Sequence, residues 1–65
     1  MNNLLGQMVY DSVVKRLGMV VERGILRYEW VVEFYRPDAP AYATLVVMKD
    51  LRYLLESYKN HFENI

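Results

Sequence analysis

Ile25-Leu26-Arg27-Tyr28-Glu29-Trp30-Val31-Val32-Glu33-Phe34-Tyr35-Arg36 is the stretch on which the fold turns. Its even positions read Leu26, Tyr28, Trp30, Val32, Phe34, and its odd positions read Arg27, Glu29, Val31, Glu33, Tyr35. That is a two-residue period in β-branched and aromatic side chains, the pattern of a strand with one face buried. A helix would spread the even positions around its whole circumference. The segment predicts a strand whose Trp30, Val32 and Phe34 face the core.

Downstream, Arg36-Pro37-Asp38-Ala39-Pro40 stops the strand, because proline lacks the amide donor and aspartate favours turns. Tyr42 to Met48 resumes with a short apolar run, so a hairpin across the proline loop is expected. Upstream, Gly18-Met19-Val20-Val21-Glu22 reads as another strand, with Gly24 at a tight turn into Ile25. Gln7-Met8-Val9-Tyr10 reads as a first strand, with Asp11 to Arg16 as the connection. The rival reading is an N-terminal helix, since Leu5, Val9, Val13 and Leu17 fall four apart. After Met48, residues Leu51, Leu55, Tyr58, Phe62 and Ile65 form one helical stripe over Asp50 to Asn64, with Asp50 as a plausible N-cap. A helical turn followed by a fifth strand is the competitor. The expected organisation is a single domain over 1–65, with a β-rich core over 6–48 and a helix or turn plus tail over 49–65. The fold class is mostly β, the alternative being α+β with an N-terminal helix, an antiparallel sheet and a C-terminal helix.

A chain of 65 residues buries only about 60% of the surface its unfolded form exposes. Small domains compensate with disulfides, a metal or a partner. Without cysteine, disulfides and thiolate metal sites are excluded, and one histidine, His61, makes no histidine zinc site. Association is the route left. Eight Lys plus Arg balance eight Asp plus Glu. That argues against a protein holding duplex DNA through its phosphates, and equally against an acidic DNA mimic. No apolar run approaches the ~20 residues that span a bilayer. Met1 to Leu5 lacks the basic start and apolar stretch of a signal peptide, so intracellular synthesis is expected. Hydrophobic residues make up 54% of the chain, more than so short a domain is expected to hide.

The order of the segments resembles small SH3-like barrel proteins of tailed phages. Gly6-Gln7-Met8-Val9-Tyr10-Asp11 resembles their Gly-Asp-apolar-Val opening. Leu17-Gly18-Met19-Val20-Val21-Glu22 resembles their second strand, Val32-Glu33-Phe34 their Val-x-Trp, and Asp50-Leu51 their closing Asp-Leu. The similarity covers Gly6 to Leu54. Gln7 stands where aspartate is usual, Phe34 where tryptophan is usual, and Leu55 to Ile65 lies beyond the pattern. The resemblance implies an SH3-like β-barrel of four to five antiparallel strands with a C-terminal helix, and a phage accessory or virion component. It supplies no catalytic residue.

No catalytic constellation stands out. His61 has no local carboxylate or nucleophile partner, and Ser12 and Ser57 lack the glycine frame of a nucleophile elbow. No phosphate-binding glycine loop or paired-carboxylate motif is present. Tyr28, Trp30 and Phe34 could stack on bases, but their face also carries Leu26 and Val32, which reads as core. Glu29 and Glu33 read as the solvated side of the sheet. The doublets Val13-Val14, Val20-Val21, Val31-Val32 and Val46-Val47 are more informative. Neighbours in a strand point to opposite faces, so one valine of each strand pair must leave the interior. Val31, Tyr35 and either Val46 or its neighbours, with Tyr58 and Phe62 of the C-terminal segment, are the candidate interface residues. The C-terminal helix or a protein partner covers them.

The expected function is non-enzymatic: a small virion-associated subunit, capsid-decorating or tail-associated, made in the host cytoplasm and binding other virion subunits or itself. No cofactor, metal, membrane or small-molecule ligand is expected, and nucleic acid is disfavoured. The alternatives are a nucleic-acid- or ribosome-binding SH3-like domain and a small inhibitor of a host enzyme.

Overall fold

The computed structural model describes residues 3–63. Strands β1 (Met8–Asp11), β2 (Arg16–Arg23), β3 (Glu29–Arg36) and β4 (Ala39–Val47) form one antiparallel meander in the order β1-β2-β3-β4. Helix α1 (Met48–Tyr58) follows, and the chain continues as π-helix over Lys59–Glu63. The fold is thus mostly β, an open four-stranded sheet with one C-terminal helix. The sheet does not close, because β1 and β4 are its two edges. Instead β4 runs directly into α1, which packs chiefly along β1, where a returning fifth strand would otherwise pair. The N-terminal helix alternative fails: Val9 lies in β1, Leu17 in β2, and Val13 is 81% exposed in the connection.

The deciding stretch is shorter as a strand than its alternation suggests. Trp30, Val32 and Phe34 are buried as expected, whereas Leu26 and Tyr28 are about half exposed. Residues 24–28 form the β2–β3 loop. The Gly24 amide donates to the Glu29 carbonyl (2.9 Å), and the Glu29 amide donates to the Leu26 carbonyl (2.9 Å). The Glu29 carboxylate accepts from the Leu26 amide (3.0 Å). Closing those bonds outweighs the strand propensity of two side chains that the loop leaves in water.

Three registers define the faces. Val9 pairs with Gly18, Gly18 with Phe34, and Phe34 with Tyr42; Val20 pairs with Val32, and Val32 with Thr44. These residues share the inner face. A bulge between Val20 and Glu22 then adds one residue to β2, so that Arg23 rather than Glu22 pairs with Trp30. The bulge places the Arg23 guanidinium over the Trp30 ring, 4.5 Å from its centroid. At the other end of the sheet Pro37 and Asp38 make the β3–β4 turn, and the register slips again before Arg36 meets Ala39. Pro40, which has no amide to donate, sits at that slip on an edge strand. Its carbonyl accepts two bonds from Arg36, at 3.0 and 2.7 Å.

The core joins Val9, Val20, Trp30, Val32, Phe34 and Val46 of the sheet to Leu51 and Leu54 of α1. Leu51 was expected in the stripe; Leu54 was not, and it takes the buried place that Leu55 holds only in part. The helix also starts earlier than expected. Its N-cap is Val47, with no side-chain cap, and Asp50 lies inside the first turn, where its charge still favours the helix dipole. The Met48 amide donates to the Tyr28 carbonyl (2.8 Å), tying the helix start to the β2–β3 loop. Ile65, the last residue of the expected stripe, lies outside the described residues. No helix among the described residues is long and apolar enough to cross a membrane.

Candidate interaction surface

α1 covers the inner face; on the outer face the π-helix covers the β1 end, over Tyr10, and no other element among the described residues packs across β2 to β4 there. The residues of the outer face follow from the registers. One row runs from Glu22 through Val31 to Leu45, the next from Met8 through Met19 and Glu33 to Ala43, and Val47 pairs with Glu29 beside them. Leu45 is 56% exposed, Val21 and Val47 are likewise exposed, and Val31 and Tyr35 are half-buried by their neighbours. The bulge contributes here as well. By inserting one residue it directs both Val21 and Glu22 outward, opposite Val31.

Charge on β2, β3 and β4 is sorted by sign, while Asp11 of β1 lies on the inner side opposite Arg16. Glu22, Glu29 and Glu33 are the charged strand residues of the outer face. Arg16, Arg23 and Arg36 all turn to the inner side, Arg16 and Arg36 against the Tyr42 ring and Arg23 over Trp30. The outer face is therefore apolar with embedded carboxylates, a composition that suits an apolar surface edged by Lys or Arg.

Of the residues singled out from the sequence, Val31 and Tyr35 lie on this face. Val46 does not: it pairs with Trp30 and is buried in the core, so its membership of the outer patch is corrected. Its neighbours Leu45 and Val47 take its place, as alternation requires. Tyr58 and Phe62 are elsewhere, at the β1 edge. Val9 and Tyr10 are adjacent in β1 and both buried, which means that the strand is covered on both sides. Val9 faces the core. Over Tyr10 lie His61, stacked at 4.4 Å, and Phe62, edge-on at 5.3 Å, with Tyr58 a further 4.9 Å from Phe62. The π-helix after α1 thus wraps the exposed edge of the sheet with an aromatic cluster, and Phe62 keeps 41% of its surface exposed. The sequence carried a signal for this cluster in the Tyr58–Phe62 spacing, but none for its seat on Tyr10.

The chain matches no protein-family model, no curated protein and no solved structure.

The surface has further clefts, one of about 600 Å³ lined mainly by apolar side chains, among them Val13, Val14, Phe34 and Leu54. Tyr10, Ser12, Tyr53, Glu56, Ser57, Asn60 and His61 line another of about 320 Å³ beside α1. In it the Ser12 and Tyr53 hydroxyls share a hydrogen bond at 2.6 Å, and His61 is held flat on Tyr10. That arrangement orders the β1–β2 connection against the helix. Asp11 supports the same connection by accepting from the Val13 amide (3.0 Å). Among the described residues no group of three or more His, Cys, Asp or Glu is placed to hold a metal.

Proposed function

We propose that the chain is a non-enzymatic, phage-type interaction protein: a small virion-associated subunit, capsid-decorating or tail-associated, that docks through its outer sheet face. The observation that carries the reading is the outer face itself. Val21, Val31, Leu45 and Val47 form a contiguous apolar surface on a chain too short to waste one, and sizeable exposed apolar surfaces mark interaction sites. Glu22, Glu29 and Glu33 set its partner. Two copies meeting face to face would bring like charges together, so the partner is a different protein surface, apolar with basic groups. The phage assignment is supported by the resemblance in motif order, from Leu17-Gly18-Met19-Val20-Val21-Glu22 to Asp50-Leu51. A meander whose helix runs along β1 is also compatible with an SH3-like barrel whose last strand is replaced by that helix.

Mass spectrometry of purified particles, made from the genome that encodes this chain, tests the reading. The chain is expected in the particles in many copies. Its absence from them, with a one-to-one complex with a host enzyme instead, would replace this function by that of an inhibitor.

A further inference from the structure

The two edges of the sheet are unequally protected. β1 is four residues long, and Tyr58, His61 and Phe62 gather over it. β4 is nine residues long, and among the described residues no strand pairs with its other side. Long edge strands are normally guarded by charged side chains, prolines or bulges, because their free amides and carbonyls are open to pairing. Ala39-Pro40-Ala41-Tyr42-Ala43-Thr44-Leu45-Val46-Val47 carries no charge. Its proline and its register slip are both confined to one end, where Arg36 occupies the Pro40 carbonyl. From Tyr42 to Val47 the pairing with β3 is regular, and Ala43, Thr44 and Leu45 are exposed. The apolar cleft of about 600 Å³ borders the same strand, and Tyr42, Thr44, Leu45 and Val46 line it. The two carboxylates of that cleft, Asp11 and Asp50, belong to β1 and α1 rather than to the edge.

We infer that β4 pairs antiparallel with β4 of a second copy of this chain, joining two four-stranded sheets into one continuous sheet. A second copy is the occupant that the strand itself specifies. An uncharged strand meets its own copy without opposing like charges. The proline-free run from Ala41 to Val47 is also self-complementary about its midpoint, Thr44. That register sets Thr44 against Thr44, Tyr42 against Val46 and Ala43 against Leu45, with inner residues facing inner ones and outer facing outer. Thr–Thr and aromatic–β-branched pairs are among the favourable cross-strand pairs. A two-fold axis through the Thr44 pair closes the assembly at two copies. Because α1 packs chiefly along β1, at the far edge, the two helices stay apart when the β4 edges meet. Glu29 and Glu33 lie one strand in from the edge. In the joined sheet the glutamates of the two copies are thus about 14 Å apart, beyond the Debye length of about 8 Å at physiological salt. The inference concerns an edge and not the outer face, and it stands whatever that face binds.

Sedimentation velocity of the intact chain over a concentration series measures the association, and amide exchange at the same concentrations locates it. The parent is expected to dimerise, with exchange in β4 slowing more than exchange in β1 as concentration rises. Salt should change the association little, because the paired strands are uncharged. Thr44→Lys and Thr44→Glu should each weaken the dimer about fivefold to tenfold, by setting like charges directly opposite each other. An equal mixture of the two variants should dimerise again, since the opposed charges are then unlike. Thr44 is exposed, so both variants should melt like the parent at concentrations where all are monomeric. Val21→Lys, on the outer face two strands away, should dimerise as the parent does. The inference is overturned if the parent stays monomeric with β4 exchange independent of concentration, if mixing the Thr44 variants restores nothing, or if Val21→Lys weakens the dimer as much as Thr44→Lys does.

Discussion

Phe34 lies over Gly18 on the neighbouring strand, and the pair shows how one residue type makes room for another. A Cβ at Gly18 would come within 2.8 Å of both the Phe34 ring and the Glu33 carbonyl oxygen, and within 3.1 Å of Val9. Glycine is needed there for close approach. Phe34→Ala should cost ~3–5 kcal/mol, the usual range for emptying an aromatic core position. That is a large share of the roughly 3–10 kcal/mol expected for a chain of this length. Gly18→Ala should cost about 1–3 kcal/mol by overpacking. In a double-mutant cycle followed by urea denaturation the two should not add, because truncating Phe34 removes one of the clashes. Strict additivity would mean that the ring does not occupy the space above Gly18.

At the scale of elements, α1 begins without a side-chain cap. Val47 has cap-like backbone angles (φ −77, ψ 155) and a side chain that cannot accept a hydrogen bond. A side-chain oxygen at an N-cap is worth about 0.5–2 kcal/mol over an apolar residue. Val47→Thr should therefore raise the melting temperature by a few degrees, since threonine can cap while keeping the strand propensity of a residue paired with Glu29. An unchanged melting temperature would show that the backbone bond from Met48 already fixes the helix start. The C-terminal turn is a second case. A chain ending at Ser57 loses Tyr58, His61 and Phe62 from above Tyr10, so amide exchange in β1 should speed up well before that in β3. Equal protection of β1 in the two chains would show that the aromatic cluster contributes nothing to that edge.

These elements also show what could be read in advance. Alternation in β3 named Trp30, Val32 and Phe34 correctly, because a two-residue period directly reports which side of a strand is buried. The same alternation overran into Leu26 and Tyr28, since periodicity cannot sense a loop closed by Gly24 and Glu29. The valine doublets announced a second apolar face but could not decide between Val46 and its neighbours; the neighbours, Leu45 and Val47, face outward. Which of two adjacent valines points inward depends on register with β3, and register is a tertiary property. Helix existence was legible from the Leu51 stripe. Its start was not, because the bond from Met48 to the Tyr28 carbonyl, rather than an aspartate cap, fixes it. Nothing local foretold the bulge at Val21.

At the scale of the whole molecule, the helix occupies one side of an open sheet, its π-helical extension covers the β1 end of the other, and the remainder of that side is left for a partner. Glu22, Glu29 and Glu33 stand on that free side, whereas Arg16, Arg23 and Arg36 turn to the inner side, so the zero net charge conceals an acidic outer face. Self-association through the outer face should accordingly be weak at low salt and rise as salt screens Glu22, Glu29 and Glu33. Sedimentation velocity at two ionic strengths checks this, and a dimer that is tightest at low salt would contradict it. The central claim is that the outer face does the binding, and Leu45→Lys tests it most directly. The substitution sits beside Val31 on an exposed edge strand, so melting should stay within a few degrees of the parent, while a basic group now faces a basic partner. Co-sedimentation with particles lacking the native chain is the measurement. The account predicts that the parent pellets with the particles and Leu45→Lys remains in the supernatant; a folded Leu45→Lys chain that pellets as fully as the parent would contradict it.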